Sequence, residues 1–337
     1  MKKALITGIT GMVGSHLTDF LLGLENEEFQ IHGIIRWRSS FENIAHLSDR
    51  INNKDKIFLH YGDLNDQASL LRIISEVKPD YVFHLAAQSF PKTSFNSPVD
   101  TLETNINGTT RLLESIKLVG INPWVHICAS SEVFGRVAKD KLPINEDCSF
   151  HPASPYAISK VGTDLIGRFY SEAYGLKVIT TRMFTHTGPR RGDVFAESSF
   201  AKQIAMIEAG ILDPIVKVGN LDSLRTYADV RDAVRAYYMM LTIKPISGEY
   251  YNIGGNTVKT IGEMLEYLIS QSTVDNIKIE VDPERLRPID ADLQIPDCSK
   301  FTKHTGWKPE INFEKTMKDL LNYWRKKINQ DPITIVR

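Results

Sequence analysis

Short apolar runs rich in Val, Ile and Phe alternate with stretches whose apolar residues fall at helical spacing. Residues 3–7, 30–35, 56–60, 80–85, 123–128 and 177–183 read as strands, and 12–24, 66–77, 98–118 and 155–174 as helices, with Leu112, Leu113, Ile116 and Val119 at helical spacing through and just past the third. Strands that alternate with helices need crossover connections, so the pattern predicts an α/β fold: a doubly wound parallel sheet covered on both faces. After about residue 185 the pattern breaks into shorter pieces, with helices expected at 196–210, 229–242, 260–271 and 313–327. This reads as a smaller second lobe closing over the sheet, with the chain free to cross between lobes more than once. Residues 36–55 join two strands through a long connection with only a weak helical signal, and such connections in compact domains usually carry function.

Composition narrows the classes. The 337 residues contain 40 basic and 41 acidic side chains, a formal charge of −1, so no overall field favours nucleic acid or anionic lipid, and any anion must be gripped locally. No run approaches the length of a membrane span, and the apolar stretch after Lys2 and Lys3 meets Gly8 too early for a signal peptide. Cys128, Cys148 and Cys298 are odd in number and widely spaced, which argues against a disulfide framework and for a reducing, cytoplasmic setting. The nine histidines form no H-x-x-x-H pair, and Cys148 with His151 lacks a second pair, so no metal is expected. His84, His126 and His186 are read as core or supporting residues.

The chemistry concentrates at three places. Gly8-Ile9-Thr10-Gly11-Met12-Val13-Gly14 lies between the first strand and first helix, where glycine lets backbone approach a pyrophosphate and the helix start offers unpaired N–H groups. Three glycines can also simply form a tight turn, but their place between a strand and a helix favours phosphate. An acidic residue at the end of the second strand would bind a ribose 2′-hydroxyl; here stand Arg36, Arg38 and Ser39, which suit a 2′-phosphate, so NADP is favoured over NAD. Asp63, before Leu64, ends the third strand and either meets the adenine or starts a loop. At the other end, Ser154-Pro155 is a helix start, placing Tyr156 and Lys160 at i and i+4 on one face. A nearby ammonium lowers a phenol's pKa, so the pair can supply a base near neutral pH. The fifth strand delivers Ser130, Ser131 and Glu132 to the same sheet edge.

Gly-x-x-Gly-x-x-Gly, Leu85-Ala86-Ala87-Gln88, Ser-Ser-Glu and Tyr-x-x-x-Lys, in this order and spacing, resemble the extended short-chain dehydrogenase/reductases over nearly the whole chain. Arg36-Trp37-Arg38-Ser39-Ser40-Phe41, Leu59–Leu64, Gly188–Gly192 and Val218–Asp222 are most similar to the GDP-mannose 4,6-dehydratases, while Phe200–Ile204 and Lys217–Leu221 also resemble GDP-4-keto-6-deoxymannose reductases. The resemblance implies a Rossmann domain over 1–184 that binds NADP, and a nucleotide-sugar lobe over 185–337. It implies catalytic roles for Ser130, Glu132, Tyr156 and Lys160, with Tyr156 as the base at the sugar 4-hydroxyl and Glu132 acting at C5. Cofactor contacts are expected from Gly8, Thr10, Gly11, Met12, Val13, Gly14, Arg36, Arg38, Ser39, Asp63, Leu64, Leu85, Ala86 and Ala87, besides Tyr156 and Lys160. For a GDP-linked sugar the expected contacts are Gln88, Ser89, Ser130, Ser131, Glu132, Thr185, Arg191, Lys202, Arg225 and Arg287. Thr185 stands where relatives usually carry Asn, leaving the hexose open among mannose, a heptose and an N-acetylated sugar. The family associates through helices like 98–118 and 155–174, so a homodimer or homotetramer is expected. A reductase, an epimerase and a non-catalytic NADP sensor are the rival readings, the last weakened by the intact Tyr-Lys pair.

Overall fold

The computed structural model describes residues 1–330 except 287 and 290. Six strands appear where the apolar runs fall: β1 (Lys2–Thr7), β2 (Phe29–Ile35), β3 (Ile57–Tyr61), β4 (Tyr81–His84), β5 (Trp124–Cys128) and β6 (Val178–Met183). The second half contributes β7 (His186–Thr187), β8 (Ile215–Val218), β9 (Leu224–Asp229), β10 (Tyr250–Ile253), β11 (Thr257–Thr260), β12 (Lys278–Val281) and β13 (Leu293–Gln294). The main sheet has seven parallel strands in the order β10-β6-β5-β4-β1-β2-β3. Order reverses between β1 and β4, and ligands of such sheets sit at that switch point, beyond the carboxyl ends of the strands.

Both faces are covered. Helices Met12–Leu22 and Val230–Thr242 pack one apolar face through Leu17, Leu21, Val234 and Tyr237. On the other, Gln67–Val77, Gly108–Val119 and Pro155–Tyr174 bring Ile73, Leu112 and Tyr170 against Val82 and Val125. The chain crosses back, since β10 and Val230–Thr242 lie beyond residue 185 yet build the sheet half. The second lobe has its own core, where Phe200, Ile204, Met317 and Trp324 pack helices Ala196–Glu208, Ile261–Ser270 and Phe313–Gln330 onto β8 and β9. Among the described residues no helix is long and apolar enough to cross a membrane.

Local chemistry sets the elements that carry the site. Ser154 Oγ accepts from Ala157 N at 3.0 Å and Pro155 occupies the first turn, so the helix begins immediately before Tyr156. The stretch 98–118, expected as one helix, is interrupted by a π-helical turn at Glu103–Asn107. The wider turn lets Asn105 reach the cleft wall: Oδ1 accepts from Gln88 N at 2.8 Å, while Nδ2 donates to Gln88 O at 3.0 Å and Ser159 Oγ at 2.8 Å. Residues 36–55 fold into a 3₁₀ turn at Glu42–Leu47 and a short helix at Ser48–Asn52, anchored by Ile44 and Leu47 against Ile57.

Candidate active site

A cleft of about 970 Å³ runs from the glycine loop, past the ends of β4, β5 and β6, into the second lobe. Gly8 has a φ of +75°, and a Cβ there would stand 2.9 Å from Ala86 N. At Gly14 a Cβ would lie 2.3 Å from Gly8 O. These two positions need glycine for close packing, which brings Leu85, Ala86 and Ala87 beside the loop. Gly11 precedes Met12–Leu22 and has no capping side chain, so the helix's first N–H groups face the cleft with Thr10, Met12 and Val13. These are the features a dinucleotide pyrophosphate requires.

At the nucleoside end, Arg36, Ser39, Asp63 and Leu64 line the cleft. Ser39 Oγ accepts from Arg36 N at 3.0 Å, fixing the turn, and Asp63 Oδ1 accepts from Asn65 N at 3.0 Å. Arg38, expected at the 2′-phosphate, lies outside the cleft lining: its guanidinium stacks 4.7 Å from the Trp37 ring centroid. Arg36 is thus the cation from this turn that faces the cleft.

Ser130, Ser131, Glu132, Tyr156 and Lys160 meet at the reaction end. Ser130 Oγ accepts from Glu132 N at 3.2 Å and lies within hydrogen-bonding reach of the Tyr156 phenol. Lys160 Nζ donates to Cys128 O at 2.7 Å and sits 5.9 Å from the Tyr156 ring centroid. Burial pushes the phenol up, above its ordinary range, with the Ser130 hydrogen bond and the Arg191 charge pulling the other way. Burial also pushes the Lys160 ammonium down. The pair therefore leans toward a protonated phenol, the reverse of the expected direction, because loss of water, with Cys128 and Glu132 nearby, outweighs the Ser130 hydrogen bond and the Arg191 charge. Beneath the site His84 bridges Thr7 Oγ1 at 2.9 Å and Thr109 Oγ1 at 3.0 Å, and His126 reaches Thr181 Oγ1 at 2.9 Å. Burial lowers both histidines to about 3, so both are neutral supports. His186 instead lines the cleft, its Nδ1 3.2 Å from Phe184 O.

Toward the second lobe the cleft is lined by Ser89, Thr185, Arg191 and Arg225. Gln88 also lines it, but its side chain is committed to a turn, accepting from Phe90 N at 2.7 Å and donating to Thr101 Oγ1 at 3.2 Å. Arg191 lies 3.5 Å from the Phe195 ring centroid and 3.2 Å from Glu197 Oε1. Arg225 is held by carbonyls, donating to Ala291 O and Leu224 O. Lys202, expected at the substrate, lies outside the cleft lining; its ammonium pairs with Asp193 at 2.8 Å and is almost fully buried. Arg287 lies outside the described residues. Arg285, two positions earlier in the same Arg-Leu-Arg-Pro run, lines the cleft and donates to Ser199 Oγ at 3.2 Å. Sequence reading also passed over Asn43, Asn105 and Arg190. Asn43 had a signal in its place in the long connection, and Arg190 in the Gly188–Gly192 run; Asn105 had none.

Residues 5–320 match the family model described as GDP-mannose 4,6 dehydratase. Curated relatives include a GDP-mannose 4,6-dehydratase from Yersinia enterocolitica, 34% identical over 95% of this chain and 93% of that protein. A second, GDP-mannose 4,6 dehydratase 1 of Arabidopsis thaliana, is 35% identical over 95% of this chain and 89% of its own length. Among solved structures, RMD from Pseudomonas aeruginosa complexed with NADPH superposes with a TM-score of 0.82 at 28% identity, covering 97% of this chain and 100% of that one. A UDP-glucose 4-epimerase from Thermotoga maritima, solved with UDP-glucose, gives a TM-score of 0.84 at 27% identity over 97% and 99% of the two chains. With its glycine loop, Ser-Ser-Glu strand end and Tyr-Lys helix on one cleft, and with these relatives spanning nearly its full length, the chain belongs to the GDP-mannose 4,6-dehydratase family.

Proposed function

We propose that the chain is an NADP-dependent 4,6-dehydratase acting on a GDP-linked hexose, with GDP-mannose as the substrate, and that it releases a GDP-4-keto-6-deoxy sugar. The observation that carries this is the meeting of Ser130, Glu132, Tyr156 and Lys160 on the cleft that the glycine loop opens. NADP bound along that loop supplies the acceptor, and later in the same cycle the donor, of one hydride. Tyr156 takes the proton of the sugar 4-hydroxyl as that carbon is oxidised, and the Ser130 hydroxyl donates a hydrogen bond to the forming carbonyl oxygen. The buried Lys160 ammonium supplies positive charge beside the phenol, so the proton leaves Tyr156 only when substrate and charge are both in place. Once C4 is a ketone the C5 hydrogen is acidic. Glu132 removes it and passes a proton to the departing 6-hydroxyl, which leaves as water. With the hydride given back at C6, Glu132 delivers a proton drawn from water to C5 while Tyr156 releases to water the one it took from the 4-hydroxyl, so protons balance and no cofactor would be consumed.

Arg191, Arg225 and Arg285 are suited to the substrate diphosphate, since a guanidinium offers paired hydrogen bonds to phosphate oxygens. Leu118, Ile158, Leu165 and Phe169 stand exposed on the helices 108–119 and 155–174, an apolar surface that favours a homodimer through those helices. The three cysteines are unpaired, which agrees with a cytoplasmic setting.

Incubation with GDP-mannose and no added cofactor tests the reading. A 4-keto product formed over many turnovers is expected, and Tyr156→Phe should abolish it while NADP binding persists. If the protein consumes only a GDP-4-keto sugar, with NADPH lost mole for mole, it is a reductase and the dehydratase assignment fails. Mass spectrometry of a nucleotide sugar retained through purification separates a hexose from a heptose or an N-acetylated sugar, and sedimentation gives the subunit number.

A further inference from the structure

The long connection after β2 folds back across the glycine loop. Asn43 lines the cleft and donates through Nδ2 to Thr10 O at 3.0 Å. Three residues on, His46 Nε2 lies 2.7 Å from Asp19 Oδ1. Asp19 belongs to Met12–Leu22, the helix that opens on the phosphate site, and its other oxygen accepts from Arg190 Nη1 at 2.7 Å. Arg190 Nη2 is 3.5 Å from His46 Nε2, so the three side chains form one cluster. Arg190 also lines the cleft, and its φ of +68° is a left-handed conformation that a non-glycine residue keeps only where its surroundings hold it. The preceding carbonyl, Pro189 O, is 3.1 Å from His16 Nε2 on the same first helix. Beside Asn43, Glu42 pairs with Lys327 of the second lobe at 2.6 Å.

We propose that these residues form a clasp over the cofactor's pyrophosphate, with Asp19 as its positioning residue. One carboxylate holds the 42–52 segment from one side and the 188–192 loop from the other, so losing either contact loosens both. The chemistry gives such a clasp its use. A 4,6-dehydratase must keep its reduced cofactor through the interval between the two hydride transfers, and a site that releases it there stops half-way with the sugar oxidised. Because Arg191 follows Arg190, the closed clasp also fixes the backbone from which the substrate-side guanidinium projects.

The proposal rests on NADP occupying the cleft and is independent of the sugar, so it is tested with no sugar present. The full-length protein is loaded with NADPH, mixed rapidly with excess NADP⁺, and release is followed by the loss of energy transfer from protein tryptophan to NADPH. Asp19→Asn keeps the side-chain size but no longer offers one carboxylate oxygen to Arg190 and the other to His46, and its release should be about tenfold faster. Asn43→Ala should accelerate release by a smaller factor, and Asp19→Glu should restore part of the slow rate. Should Asp19→Asn fail to fold, Asn43→Ala decides. Release within twofold of the parent rate in the folded variants overturns the clasp. A parent protein that does not hold NADPH overturns the cofactor reading beneath it, and the clasp with it.

Discussion

The two walls of the cleft are built differently. On the sheet side, Ser130, Glu132, Tyr156 and Lys160 are fixed by a strand end, a capped helix and bonds such as Lys160 Nζ to Cys128 O at 2.7 Å. On the lobe side, Arg191, Arg225 and Arg285 stand on loops and a short strand, each held by one or two local partners. Side chains that touch across the cleft include Phe90 on Phe195, with ring centroids 5.8 Å apart, and Lys92 on Glu284 O. The proposed chemistry, which tolerates little misplacement, thus falls on the wall built from a strand end and a capped helix, and the proposed charge recognition, which tolerates more, on the wall built largely from loops.

If that division holds, damage to the two walls separates in the kinetics. Glu132→Gln should leave GDP-sugar binding nearly unchanged and lower kcat by about a thousandfold, because the amide can neither accept the C5 proton nor protonate the leaving oxygen. A change confined to KM would mean that Glu132 only binds, and the sheet wall would lose its catalytic role.

The next largest effect is the response of the sheet-side site to acid. His84 and His126 lie beneath the sheet-side site, each lowered to about 3 by burial. A histidine whose folded pKa is depressed binds its proton more readily in the unfolded chain, so stability is fully present above about pH 6.5 and declines as pH falls below it. By about pH 5.5 the pair should cost about 3 kcal/mol, read as a drop in the urea midpoint. His84→Gln should remove about half of the pair's share of that drop, about 1.4 kcal/mol at pH 5.5, and an unchanged acid slope in the variant would remove the histidine from the account.

How much of this was legible in the sequence follows the same division. The sheet wall could be read because continuous apolar runs mark buried parallel strands, and Ser154-Pro155 marks a helix start to the residue. The lobe wall could not. Helix Ala196–Glu208 is buried from Glu197 through Ile207, so periodicity carries no sign of which face meets the cleft, and Lys202 is taken by Asp193 instead. In Arg36-Trp37-Arg38 both cations are equally available as letters, yet the turn closed by Ser39 sends one toward the cleft and the other onto Trp37. The Arg-Leu-Arg-Pro run posed the same choice between Arg285 and Arg287. The π turn that aims Asn105 at Gln88 follows from backbone packing, and no residue spacing announces it.

On the lobe wall, Arg225→Gln should raise the KM for GDP-sugar about thirtyfold and change kcat by no more than a few fold, since it removes a contact made alike in the ground and transition states. A matching fall in kcat would show that the lobe also orients the reacting carbons, and the two walls would no longer be separable.

The smallest expected effect returns to the sheet wall, at its edge. Arg36 is the cation of its turn that faces the cleft, and it stands exposed at the lip, between the cleft and a hollow lined by Trp37, Tyr61 and Arg72. Water screens a guanidinium so placed, so its contact with a 2′-phosphate is worth less than a buried pair. Arg36→Ala should lower the preference for NADP over NAD about tenfold, measured as the ratio of dissociation constants, and raised salt should erode the parent's preference toward the variant's. Arg38→Ala, on the outward face of the same turn, should leave the ratio within about twofold. If Arg38 proves the stronger determinant, this turn rearranges on binding, and the fixed part of the sheet wall ends at β2.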